Sequence, residues 1–150
     1  MTRLVAVIIL TCVMCVQADA RLHETFEQCV ARYGAPIREV SSSGGIDKSA
    51  RFEKGGFVIV VSFHNDCAVS AIFLQTDKSE FLAATLNDLL RANSEGATFV
   101  RGVETESTIL WNRDDGKVAG MFDKAKNAFV IWDKGFADGS EKKEKDTSTY

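Results

Sequence analysis

Apolar residues near the start of the chain recur at helical spacing. From Leu22 to residue 33 they follow at four, seven, eight and eleven positions, a spacing that puts them on one face of a helix. Thr25 followed by Gln28 is a capping-box pattern, and Gly34 followed by Pro36 ends a helix. The apolar residues on this helix face are Leu22, Phe26, Cys29, Val30 and Tyr33.

A second helix is predicted over residues 79–93, because leucines form an apolar seam there and Gly96 follows. Short apolar runs separated by hairpin residues such as Lys54-Gly55-Gly56 predict strands before and after this helix. The predicted strands cover residues 37–40, 50–53, 57–63, 67–74, 98–103, 108–112, 117–122 and 128–132.

This order of elements predicts an α+β fold, in which two helices pack on one side of an antiparallel sheet. Residues 52–74 and 109–132 each form a predicted three-strand meander, so the chain can be interpreted as a tandem αβββ duplication. The run 57–63 is apolar almost throughout. It predicts a central strand that is covered on both faces, or covered on one face by a partner.

The first twenty residues have the features of a cleavable export signal. Arg3 precedes an apolar run over residues 4–16, and Ala18-Asp19-Ala20 offers small residues at a cleavage site. The run is too short to span a bilayer, and no comparable run follows it. We therefore expect a signal peptide at 1–20, one domain at 21–134, a disordered charged tail at 135–150 and a periplasmic or secreted protein without an integral membrane segment.

Composition gives no reason to expect a nucleic-acid partner. The chain has 18 Lys and Arg against 21 Asp and Glu, a net charge of −3, and no basic stripe. The predicted partner is another envelope or secreted protein.

Cysteine usage agrees with export. Cys12 and Cys15 belong to the predicted signal, which leaves Cys29 and Cys67, and two cysteines in an oxidising compartment are predicted to form a disulfide. In the alternative, Cys67 is a nucleophile with His64, three residues earlier, as its base.

Neither a metal nor a cofactor is predicted. The softest ligands of the mature chain are His23, Cys29, His64 and Cys67, but the first two lie six residues apart, about 120° apart around one helix. Carboxylate pairs such as Asp114 with Asp115 fall in turns, where aspartate is common for its backbone geometry.

Aromatic residues in the second half are the candidate binding residues. Trp111, Phe122 and Trp132 lie on predicted strands and would line an open face of the sheet, or else fill the core.

The segment Cys29-Val30-Ala31-Arg32-Tyr33-Gly34-Ala35-Pro36 closes a helix on a Tyr-Gly-x-Pro turn, and strands ending in Val69-Ser70-Ala71-Ile72-Phe73 follow it. In this it resembles a group of uncharacterised exported bacterial proteins, with the fold of the small outer-membrane-assembly lipoproteins and of β-lactamase inhibitor protein. The resemblance implies a related fold and a protein-binding surface, and it implies no functional residue. The chain lacks the lipidation cysteine of those lipoproteins.

These observations predict a non-enzymatic protein- or ligand-binding module of the bacterial envelope. A cysteine enzyme using Cys67 and His64 is one alternative, and an inhibitor or chaperone of a secreted hydrolase is another.

Overall fold

The computed structural model of the protein describes residues 21–41 and 45–139. Its elements are α1 (Phe26–Tyr33), β1 (Arg38–Ser41), β2 (Lys48–Lys54), β3 (Phe57–His64), β4 (Cys67–Gln75), α2 (Ala83–Ala92), β5 (Phe99–Glu104), β6 (Thr108–Arg113), β7 (Val118–Asp123) and β8 (Ala128–Asp133). A further short helix covers residues 134–139. The predicted signal peptide (1–20) and residues 140–150 of the predicted tail lie outside the described residues. No helix of the described part is long and apolar enough to cross a membrane.

The strands form one antiparallel sheet in the order β1-β2-β3-β4-β8-β7-β6-β5. The two halves of the chain meet where β4 pairs with β8, with Ala71 opposite Ile131 and Phe73 opposite Phe129. In each half a helix precedes a meander of four strands, and the first strand of each meander is an edge of the sheet.

The predicted α+β class with two packing helices is wrong, because the sheet dominates this structure. Eight strands form it within the described residues, against helices of 8 and 10 residues and the short segment 134–139. The predicted αβββ unit is also wrong, because each half of the chain has a fourth strand. The edge strands β1 and β5 join the meanders by antiparallel pairing with β2 and β6, so each meander has four strands.

One face of the sheet is the hydrophobic core and carries both α1 and α2. Phe52, Ile59, Phe73 and Phe129 are cross-strand neighbours in one row and are fully buried. Tyr33 of α1 lies with its ring centroid 5.2 Å from that of Phe52. Burial of such side chains stabilises the fold by about 1.5–3 kcal/mol each.

Helix α2 approaches β7 closely because Gly120 has no side chain. A Cβ atom at this position would lie 3.2 Å from Cζ of Phe129 and 3.4 Å from Cδ2 of Leu90. Of the predicted seam Leu82, Leu86, Leu89 and Leu90, the last three are buried. Leu82 is 68% exposed, because it precedes the first residue of the helix.

The first helix begins where its capping box predicts. The backbone N–H of Gln28 donates to Oγ1 of Thr25 (3.2 Å), and the backbone N–H of Thr25 donates to Oε1 of Gln28 (2.8 Å). The second helix begins four residues later than predicted. Its first residue is Ala83, and ahead of it Asp77 accepts the backbone N–H of Ser79 in a turn.

Candidate functional site

The face of the sheet opposite α1 and α2 carries a continuous row of apolar side chains. Their residues are direct cross-strand partners on five neighbouring strands, β3, β4, β8, β7 and β6. All five side chains are half-buried, and none of them packs against the buried core. The row consists of Val60, Ile72, Val130, Met121 and Leu110; we call it the apolar row.

The rows on either side extend this surface. Val58 and Leu74 are cross-strand partners next to the apolar row on one side, and Trp132 lies next to it on the other. Toward β2 and β1 the apolar row continues into Arg51 and Arg38, which face each other across the two strands and are exposed. The solvent side of an antiparallel sheet is usually polar, so an apolar band of this width indicates an interaction surface.

The three aromatic residues predicted to line one open face lie on different faces. Trp111 is the partner of Gly120 on the core face, and its ring centroid lies 6.1 Å from that of Phe129. Phe122 lies on the same core face, and its ring centroid is 5.6 Å from that of Phe81. Of the three, only Trp132 lies on the open face. It follows Ile131, which is buried in the core, and successive residues of a strand point to opposite faces.

The pair Cys67 and His64 closes the β3–β4 hairpin, where the two residues are cross-strand partners. However, Nδ1 of His64 lies 2.6 Å from the carbonyl oxygen of Gly45, and Nε2 lies 3.0 Å from the side-chain amide of Asn65. Both ring nitrogens therefore have hydrogen-bond partners other than the thiol.

The surroundings of Cys67 also disfavour a thiolate. Burial raises the pKa of the Cys67 thiol, and the negative charges of Asp133 and Asp66 raise it further. A reactive cysteine needs a lowered pKa and electropositive surroundings. This geometry therefore counts against the cysteine enzyme.

Cys29 is almost completely buried on the inner side of α1. Burial, followed by the charge of Glu24, raises the pKa of its thiol to about 12. Both Cys29 and Cys67 are free thiols in this structure, at the same end of the sheet: Thr25, one helical turn before Cys29, forms a bridge with Cys67. The disulfide between them stays a prediction.

A polar network that the sequence did not predict holds residues 21–24 against the end of the sheet. Nε2 of His23 lies 2.7 Å from Oδ2 of Asp133, and Nδ1 lies 3.3 Å from Oε1 of Glu95. Both His23 and Glu95 have a positive φ, which is uncommon for residues other than glycine. The backbone N–H of Leu22 also donates to Oδ1 of Asn93 (2.9 Å).

The charged groups around His23 shift one another's pKa values. Burial alone would lower the pKa of His23, but the hydrogen bonds to Asp133 and Glu95 outweigh it and raise the pKa above the ordinary value. Burial would likewise raise the pKa of each carboxyl group, but the hydrogen bonds to His23, and to Arg113 in the case of Glu95, lower it. The imidazolium form is therefore the one that the fold favours.

The buried guanidinium of Arg113 continues the network. Its Nη1 donates to Oε2 of Glu95 (2.7 Å) and to the carbonyl oxygen of Asn93 (3.0 Å). Its Nε donates to Oδ1 of Asp115 (2.9 Å), and the side chain is only 3% exposed. Asp115 belongs to a turn, as predicted, and it also anchors this arginine.

No cluster of three or more His, Cys, Asp or Glu side chains suited to a metal ion is found in the described part of the chain. His23, Cys29, His64 and Cys67 belong to no such cluster: His23 binds carboxylates, and Nδ1 of His64 lies 2.6 Å from the carbonyl oxygen of Gly45.

An antiparallel sheet with two helices on one face and an apolar row on the other is the class of protein that these observations define. No protein-family profile matches the chain, and no curated protein matches it. Among solved structures the chain is similar to a cysteine-rich secretory protein from Staphylococcus aureus, with 10% sequence identity and a TM-score of 0.45. The match covers 76% of this chain and 45% of that protein, so the chain spans less than half its length. This likeness carries no argument about function.

Proposed function

We propose that this chain is a non-enzymatic binding protein of the periplasm or the extracellular space. Its partner is another envelope or secreted protein, which binds on the open face of the sheet. The observation that carries the proposal is the apolar row, five half-buried apolar side chains on neighbouring strands. The compartment is supported by the export signal predicted at residues 1–20.

The dimensions of the surface suit a protein partner. Five strands spaced about 4.8 Å apart span roughly 19 Å, and the flanking rows widen the surface along the strands. An apolar band on the face of a sheet offers contact area of the kind found at the centres of protein interfaces. The exposed Arg38 and Arg51 at one end favour a partner with acidic residues beside its own apolar patch.

The cysteine enzyme receives less support, because both nitrogens of His64 are occupied and the pKa of Cys67 is raised. The inhibitor or chaperone of a secreted hydrolase is a narrower form of the binding proposal. It differs from the general form only in the identity of the partner.

The test uses charge substitutions that leave the core untouched. Val60→Lys places a cation in the middle of the apolar row, and Leu82→Lys is the matched control, since Leu82 is 68% exposed beside α2. The partner is captured from envelope and culture fluid with the wild-type chain and identified by mass spectrometry. Binding of that purified partner is then measured for each variant by calorimetry.

We expect Val60→Lys to weaken binding at least tenfold and Leu82→Lys to leave it unchanged. Circular dichroism establishes that both variants are folded. Equal affinity of folded Val60→Lys and wild type for the purified partner would exclude the open face as the binding surface. Loss of binding in the Leu82→Lys control would instead point to the helix-covered side.

A further inference from the structure

A recess lies on the helix-covered side of the sheet, between α2 and the strands β5 and β6. Its volume is about 590 Å³, within the range of small-molecule sites. Leu86 and Leu90 of α2 form one wall, and Phe99, Ile109 and Trp111 form the other. The site is separate from the apolar row, because Trp111 and Ile109 lie on the core face of the sheet.

The charges that line this recess have one sign. Arg91 from α2 and Arg101 from β5 reach it, and no acidic residue lines it. Another recess of similar size, about 640 Å³ beside His23, mixes Arg91 with Glu24 and Glu95. Arg91 is paired with Asp88, which does not line the recess, so the positive charge that makes this recess complementary to an anion comes chiefly from Arg101.

Arg101 retains positive charge for a ligand although it forms an ion pair. Its guanidinium binds Glu104, but Nζ of Lys124 also lies 3.0 Å from Oε1 of the same carboxylate. Two cations share this single anion, which leaves an excess of positive charge at the mouth of the recess. Guanidinium groups bind carboxylates in a planar, bidentate geometry.

We propose that this recess binds a small organic carboxylate with an apolar, aromatic body. The body packs between α2 and the ring of Trp111, and the carboxylate lies at the mouth beside Arg101 and Arg91. An aromatic body suits the walls, because aromatic rings stack well on Trp111 and Phe99.

The test reads the fluorescence of Trp111 alone. The chain has two tryptophans, so Trp132→Phe removes the one on the open face and leaves the one in the recess. The probe is 4-phenylbutanoate, and its matched neutral analogue is 4-phenylbutan-1-ol. Arg101→Gln removes the rim charge, and Arg51→Gln is the control, an exposed strand arginine on the opposite face that also pairs with a glutamate.

We expect 4-phenylbutanoate to change the Trp111 emission saturably and to bind more tightly than the alcohol. Arg101→Gln is expected to weaken carboxylate binding about threefold or more, as for loss of an exposed ion pair, and to leave alcohol binding unchanged. Arg51→Gln is expected to change neither.

The proposal is overturned if the acid and the alcohol bind equally, if folded Arg101→Gln binds the acid as the parent does, or if the acid leaves the emission unchanged. Should Arg101→Gln fail to fold, Arg91→Gln, with its arginine 71% exposed, serves in its place under the same criteria. None of these outcomes depends on the protein partner proposed for the open face.

Discussion

Arg113 is the point at which the polar network can be tested most directly. Its guanidinium is almost completely buried, yet it binds two carboxylates that reach solvent, those of Glu95 and Asp115. The substitution Arg113→Met keeps a long apolar stem and removes the charge and every donor. We expect it to destabilise the fold without changing the sheet.

The expected loss follows from the contacts to Asn93 and Glu95, because the partly exposed carboxylate of Asp115 regains water when the guanidinium is removed. The buried carbonyl of Asn93 loses a charged donor, at a cost of about 2 kcal/mol. The ion pair with Glu95, whose side chain is 47% exposed, contributes about 1 kcal/mol because water can replace the guanidinium. The apolar methionine recovers about 1 kcal/mol through burial. The net loss is therefore about 2 kcal/mol.

Urea denaturation monitored by tryptophan fluorescence measures this loss. For a slope of about 1.5 kcal/mol per molar, the midpoint falls by about 1.3 M. The control is Arg91→Met, an ion-paired arginine that is 71% exposed, for which we expect a loss below about 0.5 kcal/mol. A midpoint for Arg113→Met equal to or above that of the wild type would refute the reasoning, since it would mean that apolar packing replaces the buried ion pair at no cost.

Two further predictions concern the end of the sheet near residues 21–24. The fold raises the pKa of His23, so the contribution of His23 to stability is complete below about pH 6.5 and is lost as the pH rises through the folded pKa. Urea titrations of His23→Asn should lack this decline in stability. A decline of equal size in that variant would contradict this. For the thiols, material exported and purified without reductant should show no free Cys29 or Cys67 in denaturant, whereas full labelling of both would eliminate the disulfide. In reduced native protein, Cys67 should react before the more deeply buried Cys29.

The parts of the fold that could be predicted are those whose cause is local. The capping box of Thr25 with Gln28 and the turn at Gly34 are readable because the interacting residues are neighbours in the chain. The strands were located for the same reason, since each is an apolar run bounded by turn residues. Pairing is different, because β4 and β8 contact each other across more than fifty residues of sequence, and no local pattern predicts this partner.

The candidate site was harder to predict, because it depends on register. Strand β3 is apolar almost throughout, and the structure buries Ile59 and Val61 while Val60 faces outward. The sequence allows two explanations for such a strand, and among the described residues neither α1 nor α2 covers the face on which Val60 lies. The sequence does not separate Trp111 from Trp132, because the register between their strands decides which face of the sheet each one occupies.

The edges of the sheet help to locate where a partner would bind. Strand addition needs a long, flat and uninterrupted edge. On one side β1 has only four residues and exposes the charges of Arg38 and Glu39. On the other, β5 exposes two valines, but its register shifts between Arg101 and Glu104, which disturbs the edge there. The apolar row has no such charge or irregularity within it, so a partner that buries apolar area would gain most on the face of the sheet.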